Sequence, residues 1–265
     1  MKAGRLTALV GIVTLVFLVM PILIVVGMSF SSASSLQFPP PGLSLRWYRS
    51  FFGDPRWVEA LVTSTMLAFA SSIVALVLGS AAAYGIVRGR FPGRGFIDAN
   101  FMAPLIVPTI VVAVAMYLAL AKVGLLGTWV GLVASHVVLS VPFVVLVVGV
   151  AIRSFDERIE QVAFTLGASR LQTVTRVLLP NLVPSLASAW ILALIASFDE
   201  VIVTLFVAGV YQTVPKRMFN ELVLEVNPTI TAIATILIAV SVLAMAAIGL
   251  ITARRGGLLK TMIGR

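Results

Sequence analysis

Ser154–Pro180 reads SFDERIEQVAFTLGASRLQTVTRVLLP, and it is the one long stretch where charge, Gly and capping residues interrupt an otherwise apolar chain. Ser154 and Glu157 have the Ser-x-x-Glu spacing of a capping box. Ile159, Val162, Ala163 and Leu166 then recur at i, i+3, i+4 and i+7, the period of an amphipathic helix. Gly167 supplies a residue that tolerates the left-handed conformation at a helix end. Ser169 with Gln172 repeats the capping spacing for a second helix carrying Leu171, Val174 and Leu178, and Pro180 is expected to close the unit. Phe164 falls about 140° from Ile159 at ~100° per residue, off the apolar stripe, which makes it an aromatic knob free to enter a partner's pocket.

Around this stretch the composition excludes a water-soluble globule. Hydrophobic residues make up 60% of the 265 and charged ones 11%, which leaves too little polar surface to cover a soluble fold. The expectation is an all-α, polytopic membrane protein. The absence of Cys removes disulfides, thiolate metal sites and Cys nucleophiles. A net charge of +9 would suggest nucleic acid in a soluble domain. Here the basic residues sit between apolar spans, as a membrane topology signal does, and no nucleic-acid motif competes.

Working outward, residues 6–30 form a first span behind Lys2 and Arg5, longer than the apolar core of a signal peptide and about the ~20 residues a bilayer needs. Residues 31–57 read as an external loop with an amphipathic segment at the interface. The second span, 58–87, is rich in small residues, among them Ala70, Ser71, Gly79 and Ser80, and should pack inside the bundle. A basic loop with Arg88, Arg90 and Arg94 leads to the third span, 99–121, where Pro104 and Pro108 predict a kink. The fourth, 126–152, carries Pro142 and the only histidine, His136. With no carboxylate or second His within one turn, His136 reads as a buried interhelical hydrogen bond ahead of a proton relay, and no metal site is supported. A fifth span, 182–208, and a sixth, 229–251, flank an external segment. With the amino terminus inside, thirteen of the nineteen Lys and Arg fall on one side, which puts both termini and the 154–180 stretch in the cytoplasm.

Asp199 and Glu200 lie within the fifth span, ~27 Å from Asn181 at 1.5 Å per residue. Each costs about 2.5–3.5 kcal/mol at the centre of a spanning helix, so the pair needs a reason. On a continuous helix the two side chains are ~100° apart and only one faces a pathway. Asp199 is assigned to it, with Glu200 turned to a helix partner or the interface. The acids read either as a negative site for a cationic solute or as a structural pair met by a cation or hydroxyl elsewhere. No GxxxxGK[ST] run exists, so the chain has no P-loop of its own. Nor is there clustered His or a nucleophile beside a base, which argues against an enzyme. An ion-coupled secondary transporter using Asp199 and Glu200 as carriers is an alternative reading.

The 154–180 stretch resembles the cytoplasmic EAA loop of ABC importer permeases, whose pattern is Glu-Ala-Ala, three residues, Gly, nine residues, Ile, one residue, Leu-Pro. Here it runs Gln161-Val162-Ala163, Gly167, Val177-Leu178-Leu179-Pro180. The spacing is kept, with Gln for Glu, Val for the first Ala, Val for Ile, and Glu160 supplying a carboxylate one position early. Ser44–Phe52 resembles the L-x-WY-x-x-F segment of the same permeases, and Ser197–Phe206, SFDEVIVTLF, resembles the spermidine/putrescine subfamily.

The resemblance implies a type I ABC importer permease fold of six transmembrane helices over residues 1–265, in a bacterial inner membrane. It implies that Glu160, Gln161, Ala163, Phe164, Gly167 and Pro180 couple to an ATPase, a helix-in-groove contact. It further implies a partner ATPase dimer that binds ATP and Mg, leaving no cofactor in this chain, a second homologous permease, and a periplasmic solute-binding protein. Glu221 and Glu225 would contact that binding protein or extend a row of carboxylates. Membrane lipid surrounds the chain and no nucleic acid is involved. The solute class implied is a polyamine, putrescine or spermidine, with an amino-acid-like or opine-type solute as the alternative.

Overall fold

Lipid offers the backbone no hydrogen-bond partner, so each apolar run must satisfy its own N–H and C=O groups, and helices result. A computed structural model describes residues 2–224, 227–243 and 245–246. Its helices are α1 (Lys2–Ser29), α2 (Arg46–Gly53), α3 (Pro55–Arg88), α4 (Arg94–Ile106), α5 (Thr109–Lys122), α6 (Trp129–Ser154), α7 (Glu157–Thr165), α8 (Arg170–Thr173), α9 (Leu179–Phe198), α10 (Ile202–Val207), α11 (Val214–Leu224) and α12 (Thr229–Leu243). Among the described residues four stretches are long and apolar enough to cross a membrane, and the α4–α5 pair makes five if it is one broken span. The apolar α12 covers the start of the expected sixth span, whose remainder lies outside the described residues. The chain is thus a multi-pass membrane protein.

Two compact units divide the chain. In the first, Met1–Glu59 with Arg217–Leu243, α2 folds back on the end of α1. Tyr48 Oη lies 2.8 Å from Ser29 Oγ, and Arg46 donates to the Ser32 carbonyl at 2.8 Å. The expected interfacial segment is α2, whose Phe51 is buried against Trp57.

The second unit contains Ala60–Lys216. Its centre is α6, which carries a long inward stripe including Leu132, Val144, Val148 and Ile152. Small residues of α3 meet it: Gly79 lies so close that an added Cβ would be 2.7 Å from Val144 Cβ. As expected, the small-residue face of the second span is a packing face. One part of the core joins α3, α6 and α9 through Ala75, Ala83, Val144, Val148 and Ala189. The other joins α5, α6 and α10 through Ala113, Leu132, Val203 and Val207.

Three expectations are corrected. The third span does not kink but breaks, with α4 and α5 at 109°. Pro104 is accommodated inside α4, whereas Pro108 has no N–H and drives Val107 into extended backbone, so this one proline ends α4 at Ile106 and precedes the start of α5 at Thr109. Pro180 does not close the 154–180 unit. The helix continues through a π-helical turn, Val174–Leu178, into α9, and that turn falls where Pro180 cannot donate to the carbonyl four residues back. The fifth span, taken as continuous to residue 208, stops at Phe198 and resumes at Ile202.

Candidate functional site

The break in the fifth span faces the break in the third. A cavity of about 510 Å³ is lined by the run 104–109, by Leu139 and Phe143 of α6, and by Ile195, Ala196, Asp199 and Glu200. Both acids therefore line one cavity, where a continuous helix would have turned only one of them toward it. The ~100° separation holds only within a helix. Asp199 ends α9, its N–H donating to Ile195 O, whereas Glu200 lies between the helices. The Glu200 carboxylate accepts from the Val203 N–H at 2.8 Å and so serves the orphan donors at the start of α10. No Gly or Pro marks residues 199–201, and the only signal of a break was the acid pair itself.

His136 is fully buried beside this break. Its Nδ1 lies 2.8 Å from Ser197 Oγ in the last turn of α9, and its Nε2 lies 3.0 Å from Thr204 Oγ1 in α10. Ser197 Oγ is also 2.7 Å from Ser71 Oγ of α3. The expected interhelical hydrogen bonding of His136 is present, joining three spans. The sequence marked Ser71 only as a small packing residue and Ser197 and Thr204 only as part of a resembling segment, because hydroxyls scattered in apolar spans carry no local signature of a hydrogen-bond network.

At the other end of the unit lies the 154–180 loop. Ser154 belongs to the last turn of α6, where its hydroxyl donates to Val150 O, so the expected Ser154–Glu157 box does not form. Asp156 caps α7 instead, accepting from the Arg158 N–H at 2.9 Å. The second box is present: Ser169 accepts from the Gln172 N–H, and Gln172 Oε1 accepts from the Ser169 N–H. Gly167 has φ +84° and closes α7 in a Schellman motif, with Ala168 N–H donating to Ala163 O and Gly167 N–H to Phe164 O.

The helix faces the opposite way from its pattern. Ile159, Val162 and Leu166 are 47%, 56% and 82% exposed, and the buried residue of α7 is Glu160. Arg88, the last residue of α3, holds Glu160 at 2.8 Å and also donates to Phe155 O at 3.0 Å. Glu157, Glu160, Gln161 and Phe164 line a cleft of about 380 Å³ with Tyr84, Arg88 and Arg170, and Phe164 at its border is exposed. The bridge puts the Arg88–Arg94 loop and the 154–180 loop at one end of the unit. At the other end Gly127 N–H donates to Val207 O at 3.1 Å and Trp129 meets Tyr211. Lys216 is turned inward there, donating to the carbonyls of Gly209 and Tyr211 at 3.0 Å each.

In the first unit Arg217 stacks over Trp57 at 4.5 Å and pairs with Glu221 at 3.2 Å and Asp54 at 3.5 Å. The charge of Glu221 is thus met within the chain, and Glu225 lies outside the described residues. A side-chain hydrogen bond from Arg56 holds the Asp54 carboxyl below its ordinary value. No group of His, Asp and Glu fit to hold a metal occurs among the described residues.

Residues 75–257 match the family model described as binding-protein-dependent transport system inner membrane component. The chain is similar to the spermidine/putrescine transport system permease protein PotC of Haemophilus influenzae, 32% identical over 85% of this chain and 88% of that one. It is also 32% identical to the putrescine transport system permease protein PotI of Escherichia coli over 84% of this chain and 82% of the relative. Among solved structures, a chain of a bacterial ABC transporter involved in the import of alginate superposes with a TM-score of 0.69 at 17% identity, covering 96% of each chain.

Proposed function

The chain belongs to the family of binding-protein-dependent transport system inner membrane components, and on that premise we propose that it forms one half of the membrane path of an ATP-driven importer for a polyamine such as putrescine or spermidine. The names of the relatives point to the solute class. The acid cavity supports it chemically, since a polyamine carries two or more ammonium groups and Asp199 with Glu200 offers carboxylates to meet them.

The observation that carries the mechanism is helical continuity. One helical stretch runs from Arg170 to Phe198, so the loop that meets the ATPase and the acids that meet the solute are the two ends of one rod. At 1.5 Å per residue the 20 residues of α9 alone span ~30 Å. In this reading the exposed Ile159 and Val162 of α7, with Leu166 just after it, enter a groove of a separate ATPase dimer, with Gln161, Ala163 and Phe164 beside them. Glu160 works from within by fastening the lever to α3, and Gly167 and Pro180 shape its ends. ATP and Mg belong to that partner, the solute-binding protein delivers from the periplasmic side, and a second permease completes the path. The 154–180 loop and both termini are cytoplasmic. ATP-driven closure of the dimer moves α7 and the rod behind it, shifting the bundle between two arrangements with the cavity open to opposite sides.

The test is putrescine uptake into proteoliposomes holding the complete assembly. Asp199→Asn and Glu200→Gln are each expected to cut ATP-dependent uptake about tenfold or more with assembly intact, as loss of a charge-assisted bond to an ammonium group implies. Wild-type uptake in both variants would sink the cavity assignment, and accumulation driven by an ion gradient without ATP would sink the ATP-driven one.

A further inference from the structure

We propose that His136 is a positioning residue for the acid pair, the middle link of a one-way hydrogen-bond chain that starts at Ser197, crosses the break in the fifth span and ends on the carbonyl of Glu200. This rests on the reading of the Asp199–Glu200 cavity as the solute site.

The direction follows from counting protons. Thr204 Oγ1 donates to Glu200 O at 3.0 Å, which uses the only proton of that hydroxyl. Its 3.0 Å contact with the imidazole must then be accepted, so Nε2 carries a proton. His136 has hydroxyls and no carboxylate as partners, and the ring is buried, so it holds one ring proton and leaves Nδ1 as an acceptor. Ser197 therefore donates to Nδ1 at 2.8 Å, while the Ser71 hydroxyl, 2.7 Å from Ser197 Oγ, donates to Leu67 O at 2.7 Å. From Ser197 through His136 and Thr204 to Glu200 O every link runs the same way, and bonds aligned in series polarise one another.

The geometry gives this chain a task. A break at membrane depth frees backbone groups that lipid cannot satisfy. His136 reaches both lips of the break, Ser197 before it and Thr204 after it. Through Thr204 it fixes the Glu200 carbonyl, while the Val203 N–H fixes one carboxylate oxygen of the same residue. Glu200, which lines the cavity, is thereby held at both its peptide and its side chain. Asp199, one residue earlier at the end of α9, is held by the same frame.

Because the chain has a single histidine, ¹⁵N-histidine labelling of the full protein in lipid bilayers gives one imidazole to read by solid-state NMR. The expected spectrum has a protonated Nε2 and an unprotonated Nδ1. Thr204→Val is expected to shift the Nε2 signal, and added putrescine to shift the wild-type imidazole signals but not those of Glu200→Gln. In uptake assays on the complete assembly, Thr204→Val and His136→Phe are expected to raise KM for putrescine about tenfold, the ratio that one lost hydrogen bond implies, with kcat within twofold. His136→Asn, which keeps a hydrogen-bonding group toward Ser197, should recover part of the loss. The opposite tautomer, or a Thr204→Val spectrum unchanged from wild type, overturns the chain. If His136→Phe does not assemble, Thr204→Val decides, since it removes one oxygen and preserves the shape. Unchanged KM in Thr204→Val, alongside raised KM in Glu200→Gln, overturns the positioning role alone. Unchanged KM in Asp199→Asn and Glu200→Gln overturns the cavity reading, while the tautomer is still read independently.

Discussion

Seventy-two residues of chain separate Arg88 from Glu160, yet their side chains meet at 2.8 Å with both largely out of water. A buried pair of this kind gives little net stability against an apolar replacement, but removing one partner strands the other charge. Glu160→Gln is therefore expected to lower stability by about 3–5 kcal/mol, read as a drop in the thermal midpoint of the purified protein, and the double exchange Arg88→Glu with Glu160→Arg to recover part of it. A drop no larger than that of an exposed control such as Glu157→Gln would mean that the bridge does not fasten α7. In the sequence Glu160 was visible only as a carboxylate one position early in a motif. Its partner was the last residue of a span in another part of the chain, and nothing local pairs the two. Asp199 and Glu200 are the reverse case. Two acids in an apolar run stand out because of their insertion cost, so the site was legible although its shape was not.

Elements here are defined by how they end. Gly167 holds φ +84° at the close of α7, a conformation that proline, fixed near −65°, cannot adopt. Gly167→Pro is expected to abolish coupling, with putrescine-dependent ATPase stimulation lost and membrane insertion retained. Stimulation at the wild-type level would contradict the lever. Gly209, at φ +54°, passes so close to Gly127 that an added Cβ would lie 2.8 Å from its Cα, so backbone meets backbone where α10 turns beside the start of α6. Gly209→Ala adds strain and a clash that no rotamer relieves, and is expected to destabilise by about 1–3 kcal/mol in thermal unfolding, against little change for Gly95→Ala, where an added Cβ meets nothing. The periodicity of α7 was readable, but its facing was not. The pattern marks an apolar stripe without saying whether the chain itself or a partner covers it, and here the burial falls on Glu160 instead. The second capping box was readable because its partners are three residues apart. The first failed because α6 ran on through Ser154 and Asp156 took over the cap.

At the scale of the molecule, the Arg88–Arg94 and 154–180 loops share one end of the second unit and the 123–128 and 208–216 turns share the other, the same division that charge counting gives. The natural absence of Cys makes orientation directly measurable. Leu166→Cys, at an 82% exposed position, is expected to react with an impermeant maleimide only in inside-out vesicles, and Val210→Cys, 84% exposed, only in right-side-out ones. The opposite pattern would exclude an ATPase contact at α7. Sequence by itself determined the helical membrane class and where the long apolar helices lie, because lipid imposes length and apolarity on each segment separately. It also located the loop and the acids, as local departures from that apolar rule. Only the tertiary structure decided that the third and fifth spans break, that both acids share one cavity, that Glu160 faces inward to Arg88, and that His136 ties the lips of a break together. Each of these depends on groups tens of residues apart meeting at hydrogen-bond distance. A helix period specifies which residues share a face, and it is the packing of spans against one another that specifies what the face meets.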